Sequence, residues 1–226
     1  MTTPDFALTL QSVYTGGPGP LPDGRPSGIY KTLRDTPLTV TTLGIQGDHQ
    51  ADPRVHGGPD KAIHLFPREN YRALATAFPH LATRLVPGML GENLSTAGGD
   101  QAAVCIGDRY AWGEVVLELS QPRRPCWKID ARLEQDGVAA YVAEQGLTGW
   151  YFRVLRGGLA PARGQLTLVA RPNPGATLTA LADLMGQHRP SIGALEAAAR
   201  WPGLAGDVAR RLRQRADWLG HQPETD

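Results

Sequence analysis

The segment from Ser120 to Lys128 contains the residues whose types are best suited to chemistry. It reads Ser-Gln-Pro-Arg-Arg-Pro-Cys-Trp-Lys, so Cys126 lies close along the chain to Arg123 and Arg124. Nearby cations favour the thiolate, which is the form of cysteine that attacks electrophiles and ligates soft metals. The arginines could also bind a phosphate through paired N–H donors. A buried thiol in a loop of solvated arginines is the alternative that the residues leave open.

A second polar segment precedes Lys61. Within nine residues it contains four side chains of metal-binding type, Asp48, His49, Asp52 and His56. No His-x-x-x-His pair at helical spacing supports zinc, and the prolines and glycines predict a long irregular loop. Gly57 and Gly58 free the backbone to present N–H groups to an anion or to pass close to a ligand. We expect a functional loop, with ordinary turn hydrogen bonds as the alternative.

Two further segments combine small and polar residues in ways that suit ligand binding. Glu92 and Asn93 stand between a glycine and a leucine and could hydrogen-bond a polar heterocycle, although such residues are also common in turns. Ser27 and Lys31 belong to a stretch rich in glycine and proline and could contact phosphate, with a surface loop as the alternative. Each motif alone is a weak indication of function.

Composition and charge exclude several classes of protein. The chain has 23 Lys plus Arg and 22 Asp plus Glu, a formal net charge of +1, which argues against nucleic-acid binding. Two cysteines cannot form a disulfide framework, and Cys105, inside an apolar Val-Cys-Ile run, is expected to be a small buried residue. Neither a signal peptide nor a run of about 18 apolar residues is recognisable, so we expect a cytoplasmic protein without membrane contact.

Glycine and proline punctuate short apolar runs, a pattern typical of many short strands. Gly (27) and Pro (19) make about a fifth of the 226 residues, which disfavours a helix bundle. Strands are predicted at residues 39–43, 104–106, 110–112, 115–119, 150–155 and 166–170. Helices are predicted at residues 68–78 and 136–145, and Gly146 ends the second. The expected fold class is mainly β with a few helices.

The composition changes at residues 171–175, Arg-Pro-Asn-Pro-Gly, which are typical of a linker. Three apolar stripes beyond it predict three short helices, the second with Ser191 as its N-cap and the third starting near Asp207. We therefore expect a β-rich domain of residues 1–172 and a small three-helix domain of residues 173–226. Arginines opposite the apolar stripe of the last helix indicate a solvated face or a dock for an acidic partner.

These motifs, in this order, resemble the MOSC family, which is named for the C-terminal domain of molybdenum cofactor sulfurase. The resemblance is strongest to its branch of 6-hydroxylaminopurine resistance proteins and covers nearly the whole chain. The matching segments are residues 25–31, 44–48, 55–62, 67–69, 91–96, 120–126 and 149–150. The three C-terminal helices match this branch by pattern more than by motif.

The resemblance implies a fold, a cofactor and a reaction. MOSC domains are β-rich, with a barrel-like sheet, and bind the molybdenum cofactor, a pterin that carries a dithiolene and a terminal phosphate. The invariant cysteine of the family falls on Cys126, which would be the catalytic ligand of molybdenum. Members of this branch are implicated in reducing N-hydroxylated bases such as 6-hydroxylaminopurine to amines. The resemblance therefore implies a detoxifying molybdenum-dependent reductase that receives electrons from a flavoprotein partner.

Residue type and loop position suggest roles for the other polar groups in such a site. Candidates for contacting the phosphate and pterin of the cofactor are Lys31, Arg123, Arg124, Gly57 and Gly58. Candidates for hydrogen bonds to pterin N–H groups or to the substrate are Asp48, Glu92 and Asn93. His56 is a candidate both for cofactor binding and for catalytic proton transfer near neutral pH.

Two other functions stay open on the sequence. A binding module would carry the cofactor or a sulfur species for another enzyme, without turnover of its own. A cofactor-free redox sensor would use Cys126 as an oxidisable thiol. The sequence leaves the oligomeric state open, a dimer included.

Overall fold

The computed structural model describes residues 6–53 and 57–221. The strands of the described chain are β1 (Ala7–Thr15), β2 (Gly19–Pro20), β3 (Pro26–Ser27), β4 (Thr32–Arg34), β5 (Leu38–Thr41), β6 (Gly44–Ile45), β7 (Ile63–Pro67), β8 (Leu94–Ala97), β9 (Arg109–Trp112), β10 (Val115–Pro122), β11 (Trp150–Arg156), β12 (Gly158–Ala160) and β13 (Gly164–Ala170). Its α-helices are α1 (Arg68–Ala77), α2 (Lys128–Leu133), α3 (Val138–Glu144), α4 (Leu178–Gly186), α5 (Ile192–Ala198) and α6 (Gly206–Gly220). Two 3-10 turns span Pro59–Lys61 and Pro79–Leu81.

Seven strands close into a barrel. Their order is β1-β13-β9-β10-β11-β7-β8, and β8 pairs with β1 to complete the circle. The strands β7 and β8 run parallel, and the other six neighbouring pairs are antiparallel. Strand β4 extends the sheet at the end of β1, and β12, β5 and β6 form a separate small sheet. The expected mainly β, barrel-like fold is confirmed.

Alternating and continuous apolar runs account for the core of the barrel. In β1 the buried Leu8, Leu10 and Val13 point inward, and a bulge between Leu10 and Ser12 shifts the alternation. The largest buried side chains of the barrel are aromatic, with Trp112 and Trp150 fully enclosed. Because large aromatic side chains bury the most apolar area, they dominate the stability of this core.

The parallel pair β7–β8 requires a crossover connection, because parallel strands cannot be joined by a tight turn. Residues 68–93 provide it, beginning with α1, whose Tyr71 and Leu74 are buried. These side chains form a second hydrophobic cluster with Leu133 and Val142 of the short helices α2 and α3. This cluster supports the loops at one end of the barrel, where the polar motifs lie.

The three C-terminal helices are present, as expected. Ser191 caps α5 by accepting from the N–H of Ala194, as predicted. Their buried residues belong to the same hydrophobic cluster as the barrel core. The predicted linker has no helix or strand, but it is held in place: Arg171 pairs with the fully buried Asp108 at 2.7 Å, and Asn173 donates to the carbonyl of Ile106.

The structure corrects several sequence-based assignments. The strand predicted at residues 104–106 is wrong, since Cys105 forms only an isolated bridge to Thr177 within a series of turns. The strand predicted at residues 39–43 ends at Thr41, where a turn begins. Patterning missed α2 and the strands β1–β4, β6–β8 and β12. Of these, β7 is buried throughout, and β8 contains the buried polar residues Ser95 and Thr96. None of the helices in the described part of the chain combines the length and the apolar character that a membrane span requires.

Candidate functional site

Cys126 lies in the wall between two clefts at one end of the barrel. The first cleft has about 570 Å³ of open space, and the second has about 700 Å³. The half-buried Cys126 lines both, together with Lys61 and Tyr151. Other polar side chains of the first cleft are Ser27, Lys31, Asp48, Gln50, His64, Asn93, Arg123 and Lys128. Polar side chains confined to the second are Gln121, Arg124, Asp207 and Arg211.

The loop that carries Cys126 leaves the end of β10, as the sequence predicted. Pro122 and Pro125 restrict its backbone and remove two donors. The N–H of Arg123 donates to the carbonyl of Gly149 at 3.1 Å, which fastens the loop to the start of β11. The N–H of Ile129 donates to the carbonyl of Cys126 at 3.0 Å, where α2 begins. The thiol is therefore held on ordered backbone at both ends of the loop.

Lys31, Asp48 and Asn93 form one buried network at the first cleft. Lys31 Nζ donates to both oxygens of Asp48, at 2.5 and 2.6 Å. Asn93 Nδ2 donates to Asp48 Oδ2 at 2.9 Å, and the N–H of Gly16 donates to Oδ1 at 2.9 Å. The sequence motifs around residues 31, 48 and 93 thus meet in space. Many of the hydrogen bonds that these three side chains can form are therefore used to hold three loops together.

His64 is a cleft residue that sequence reasoning missed. It lies on β7, is 4% exposed, and has no partner at Nε2 among the described residues. Its backbone N–H donates to Asn93 Oδ1 at 3.0 Å, and its ring centroid lies 5.2 Å from that of Tyr151. Burial, with the nearby positive charge of Arg123, lowers the pKa of His64 well below its usual value, so the imidazole is neutral.

Arg123 and Tyr151 form the side of the first cleft next to Cys126. Arg123 is 7% exposed and donates through Nη2 to the carbonyl of Leu90 at 3.2 Å. Its buried Nη1 has no partner within residues 6–53 and 57–221. Burial raises the pKa of Tyr151, although the positive charge of Arg123 opposes the rise. The phenol therefore stays protonated near neutral pH and can donate a hydrogen bond.

Glu92 lies outside the described lining of both clefts. It is fully buried, accepts from the hydroxyl of Tyr71 at 2.8 and 2.9 Å, and accepts from the N–H of Gly88 at 2.5 Å. Burial raises the pKa of this carboxyl. Tyr71 in turn accepts from the N–H of Leu90 at 3.1 Å. Glu92 thus organises the loop that brings Leu90 and Gly91 to the first cleft.

The remaining predicted site residues are more scattered. Gly57 and Gly58 are absent from the described lining of both clefts; Gly57 packs on the backbone of Pro53, where a Cβ would lie 2.8 Å from the carbonyl oxygen. Arg124 is exposed and lines the second cleft only. His56 lies outside the described residues, and its role stays a prediction. In the described part of the chain no group of three or more His, Cys, Asp or Glu could hold a metal ion.

Fold and site together define a β-barrel domain with an accessible thiol between two clefts lined by cations. The MOSC domain model matches residues 52–164, which include the crossover, β10 and the Cys126 loop. The chain belongs to the MOSC domain family, whose domains are associated with binding of the molybdenum cofactor.

Curated relatives support this membership. The chain is 42% identical over 159 residues to "Protein YiiM" of Escherichia coli, covering 70% of this chain and 71% of that protein. It is 36% identical over 152 residues to the protein YflK of Bacillus subtilis, covering 67% of each chain. A protein named "Reductase" from Gibberella moniliformis is 34% identical over 149 residues, which are 66% of this chain and only 26% of that longer protein.

Solved structures extend the similarity to the helical tail. The crystal structure of YiiM from Escherichia coli matches with a TM-score of 0.79 at 29% identity, over 97% of this chain and 96% of that one. A crystal structure of a hypothetical protein matches with a TM-score of 0.82 at 30% identity, over 98% and 93% of the two chains. Because these matches cover nearly the whole chain, the helices α4–α6 are part of the shared architecture.

Proposed function

We propose that this protein binds the molybdenum cofactor through Cys126 and reduces N-hydroxylated compounds, such as 6-hydroxylaminopurine, to amines. One observation carries the proposal: the Cys126 thiol lies in the wall shared by two clefts, so a metal bound to it would be open to both. Family membership and the reductase-named relative support an oxidoreductase role. We further propose a cytoplasmic setting and a flavoprotein electron donor.

The residues of the first cleft fit such a cofactor. Molybdenum accepts soft thiolate ligands, and Cys126 supplies a half-buried thiol. The unpartnered Nη1 of Arg123 is a buried donor that a pterin or phosphate oxygen would satisfy. Lys61 and Lys128 add positive charge to the same walls, which suits an anionic group. Lys31, Asp48 and Asn93 would then act mainly by fixing the shape of the cleft.

The proposed reaction consumes two electrons and two protons: the N–O bond of R–NHOH breaks, giving R–NH₂ and water. The bound cofactor supplies the two-electron redox chemistry, and the reduced flavoprotein supplies the electrons. Tyr151 holds a proton on its phenol oxygen beside Cys126 and can donate it as water leaves. His64, neutral and unpartnered at Nε2, can orient the substrate or relay a proton. His56 stays a predicted proton donor.

The test is expression in a host that makes the cofactor. We expect the purified protein to contain molybdenum and a releasable pterin, and to reduce 6-hydroxylaminopurine with an artificial electron donor. Cys126→Ser should lose bound molybdenum and turnover, whereas Cys105→Ala, at the other thiol, should keep both. Retained activity in Cys126→Ser would refute the assignment. Bound cofactor without turnover, whatever the donor, would instead favour the carrier module.

A further inference from the structure

The second cleft brings the C-terminal helix α6 to the candidate centre. Asp207 and Arg211 of α6 line this cleft together with Arg124 and Cys126. Its described lining contains three cations, Lys61, Arg124 and Arg211, against one carboxylate. That carboxylate, Asp207, lies 3.6 Å from Arg211 Nη2, a long pairing that leaves most of the guanidinium donors unused. Arg124 and Arg211 alone outnumber this carboxylate in the described lining, so the cleft presents guanidinium groups to an anion beside the thiol.

A hydrogen-bonded network fixes α6 in this position. Arg153 Nη2 donates to Asp60 Oδ1 at 2.6 Å, and the N–H of Gly206, the first residue of α6, donates to Asp60 Oδ2 at 3.2 Å. Ser120 Oγ donates to the backbone carbonyl of Asp60 at 2.6 Å, while the N–H of Ala205 donates to the carbonyl of Ser120 at 2.9 Å. These bonds tie α6, the Pro59–Lys61 turn and β10 into one unit, so the backbone at Arg211 is held in a fixed position relative to the backbone at Lys61.

Two buried donors in the lining lack partners. Gln121 is 3% exposed, and its Nε2 has no hydrogen-bond partner among the described residues. Arg211 Nε is likewise buried and unpartnered there. Buried donors are nearly always satisfied, and each unsatisfied one costs about 1–3 kcal/mol, so such groups indicate a ligand or water. Here both belong to a cleft whose cations favour an anionic acceptor.

We propose that the second cleft binds the phosphate of a phosphorylated substrate, and that the preferred substrates are N-hydroxylated nucleoside monophosphates rather than free bases. The inference rests on the proposed function for the identity of the reacting group. Arg211 and Arg124 would contact the phosphate, since guanidinium groups bind phosphate through paired donors. Gln121 Nε2 would donate to the same group or to the sugar. The base would then extend toward Cys126, which borders both clefts.

The first experiment measures equilibrium binding without turnover. Isothermal titration compares adenosine 5′-monophosphate, adenosine and inorganic phosphate on the protein purified without cofactor and on the cofactor-loaded protein. We expect the nucleotide to bind at least about tenfold more tightly than either of the other two, with an affinity that falls as salt rises. Equal affinities for nucleotide and nucleoside would overturn the proposal. Inorganic phosphate binding as tightly as the nucleotide would overturn the assignment to nucleotides.

Variants on one helix localise the effect. Arg211→Gln should weaken binding of the nucleotide about tenfold and leave that of adenosine within about twofold. The matched control is Arg210→Gln, which makes the same change of charge at an exposed position one residue away. It should keep the wild-type preference. The same loss in both variants would indicate a general charge effect and contradict a built site.

Measurements on the cofactor-loaded protein distinguish binding of a substrate's phosphate from binding of the cofactor's own phosphate. If the cofactor's own phosphate occupied the second cleft, nucleotide preference would vanish on loading and Arg211→Gln would lower the molybdenum content; either result overturns the proposal. Turnover provides the remaining distinction. Reduction of 6-hydroxylaminopurine without any preference for its nucleotide would refute the phosphate site but keep the proposed function. Nucleotide binding by a protein that never holds molybdenum would refute the proposed function but keep the phosphate site.

Discussion

Lys31 Nζ donates to both carboxylate oxygens of Asp48, at 2.5 and 2.6 Å, although only 5% and 3% of the two side chains is exposed. These residues are 17 positions apart and belong to different loops, so their ion pair fixes the shape of the first cleft. A buried pair of this kind is costly to break, because the remaining charge stays buried without its partner.

Asp48→Asn should therefore lower the free energy of unfolding by about 3–5 kcal/mol, because the Lys31 ammonium loses its counter-charge. Urea denaturation measures this. The matched control is Asp23→Asn, which removes an exposed carboxylate paired with Arg25 and should leave stability nearly unchanged. Similar stabilities for Asp48→Asn and the wild type would contradict the role given to this pair.

A second prediction concerns the pH dependence of stability through Glu92. Burial raises its pKa above the ordinary value of 4.5, so the folded protein holds a proton that the unfolded chain releases. This contribution to stability is present at low pH and is lost as pH rises from about 4.5 through the folded pKa. The free energy of unfolding of the wild type, relative to that of Glu92→Gln, should therefore decrease as pH rises through this range. A difference that is flat with pH would contradict it.

His64 gives a pH dependence of the opposite sign. Its folded pKa lies well below the ordinary 6.5, so the unfolded chain takes up a proton that the folded protein does not. Stability should fall as pH drops below about 6.5, and His64→Gln should remove this part of the slope. Denaturation curves between pH 5 and 7.5 test it. Equal slopes in the wild type and in His64→Gln would contradict the assignment of this pH dependence to His64.

The two thiols should differ sharply in reactivity. Cys126 is half-buried in a cleft wall, whereas Cys105 is 2% exposed and burial raises its pKa. A thiol-specific chromogenic reagent should therefore modify one cysteine per folded chain and two after denaturation. Cys126→Ser should abolish the reaction of the folded protein. Rapid modification of both thiols without denaturant would show that Cys105 is not enclosed as described.

Asp60 should control how firmly α6 is attached. Asp60→Asn weakens the charge-assisted bonds to Arg153 and to the N–H of Gly206, so amide hydrogen exchange in α6 should accelerate several-fold. Arg109→Gln removes a pair with Glu118 in the same network without touching α6, and it should leave exchange in that helix unchanged. Equal acceleration in the two variants would argue against a specific attachment through Asp60.

The sequence predicted those parts of the fold that local patterning determines. The helix at Arg68–Ala77 and the cap at Ser191 follow from apolar spacing and capping chemistry, and both are present. The burial of Cys105 was predicted, but its strand was wrong, since an apolar run of three residues also fits a buried turn. Strand β7 was missed because burial on every side removes the alternation that identifies a strand.

The sequence identified some of the residues that line the two clefts, but it did not predict their geometry. The sequence motifs identified Lys31, Asp48, Asn93 and Cys126 as candidates, and all four line the first cleft. Nothing local indicates that the Glu92 carboxylate turns away toward Tyr71. A histidine inside the apolar run Ile-His-Leu-Phe was the available signal for His64. The position of Arg211 in the second cleft depends on how a helix far along the chain packs, which no short motif encodes.

The closure of the barrel has a consequence for how the chain is made. Strand β1 pairs with β13 from Ala7 opposite Thr167 to Leu10 opposite Gly164, so the seam joins residues that are 154 to 160 positions apart. During synthesis, residues 7–10 of β1 lack their β13 partner until residues 164–167 have been made, whereas residues 13–15 of β1 can pair with β4 much earlier. Contacts of such long range slow folding and expose the nascent chain to mispairing. The barrel therefore closes only when β13, the last of the described strands along the chain, pairs with β1.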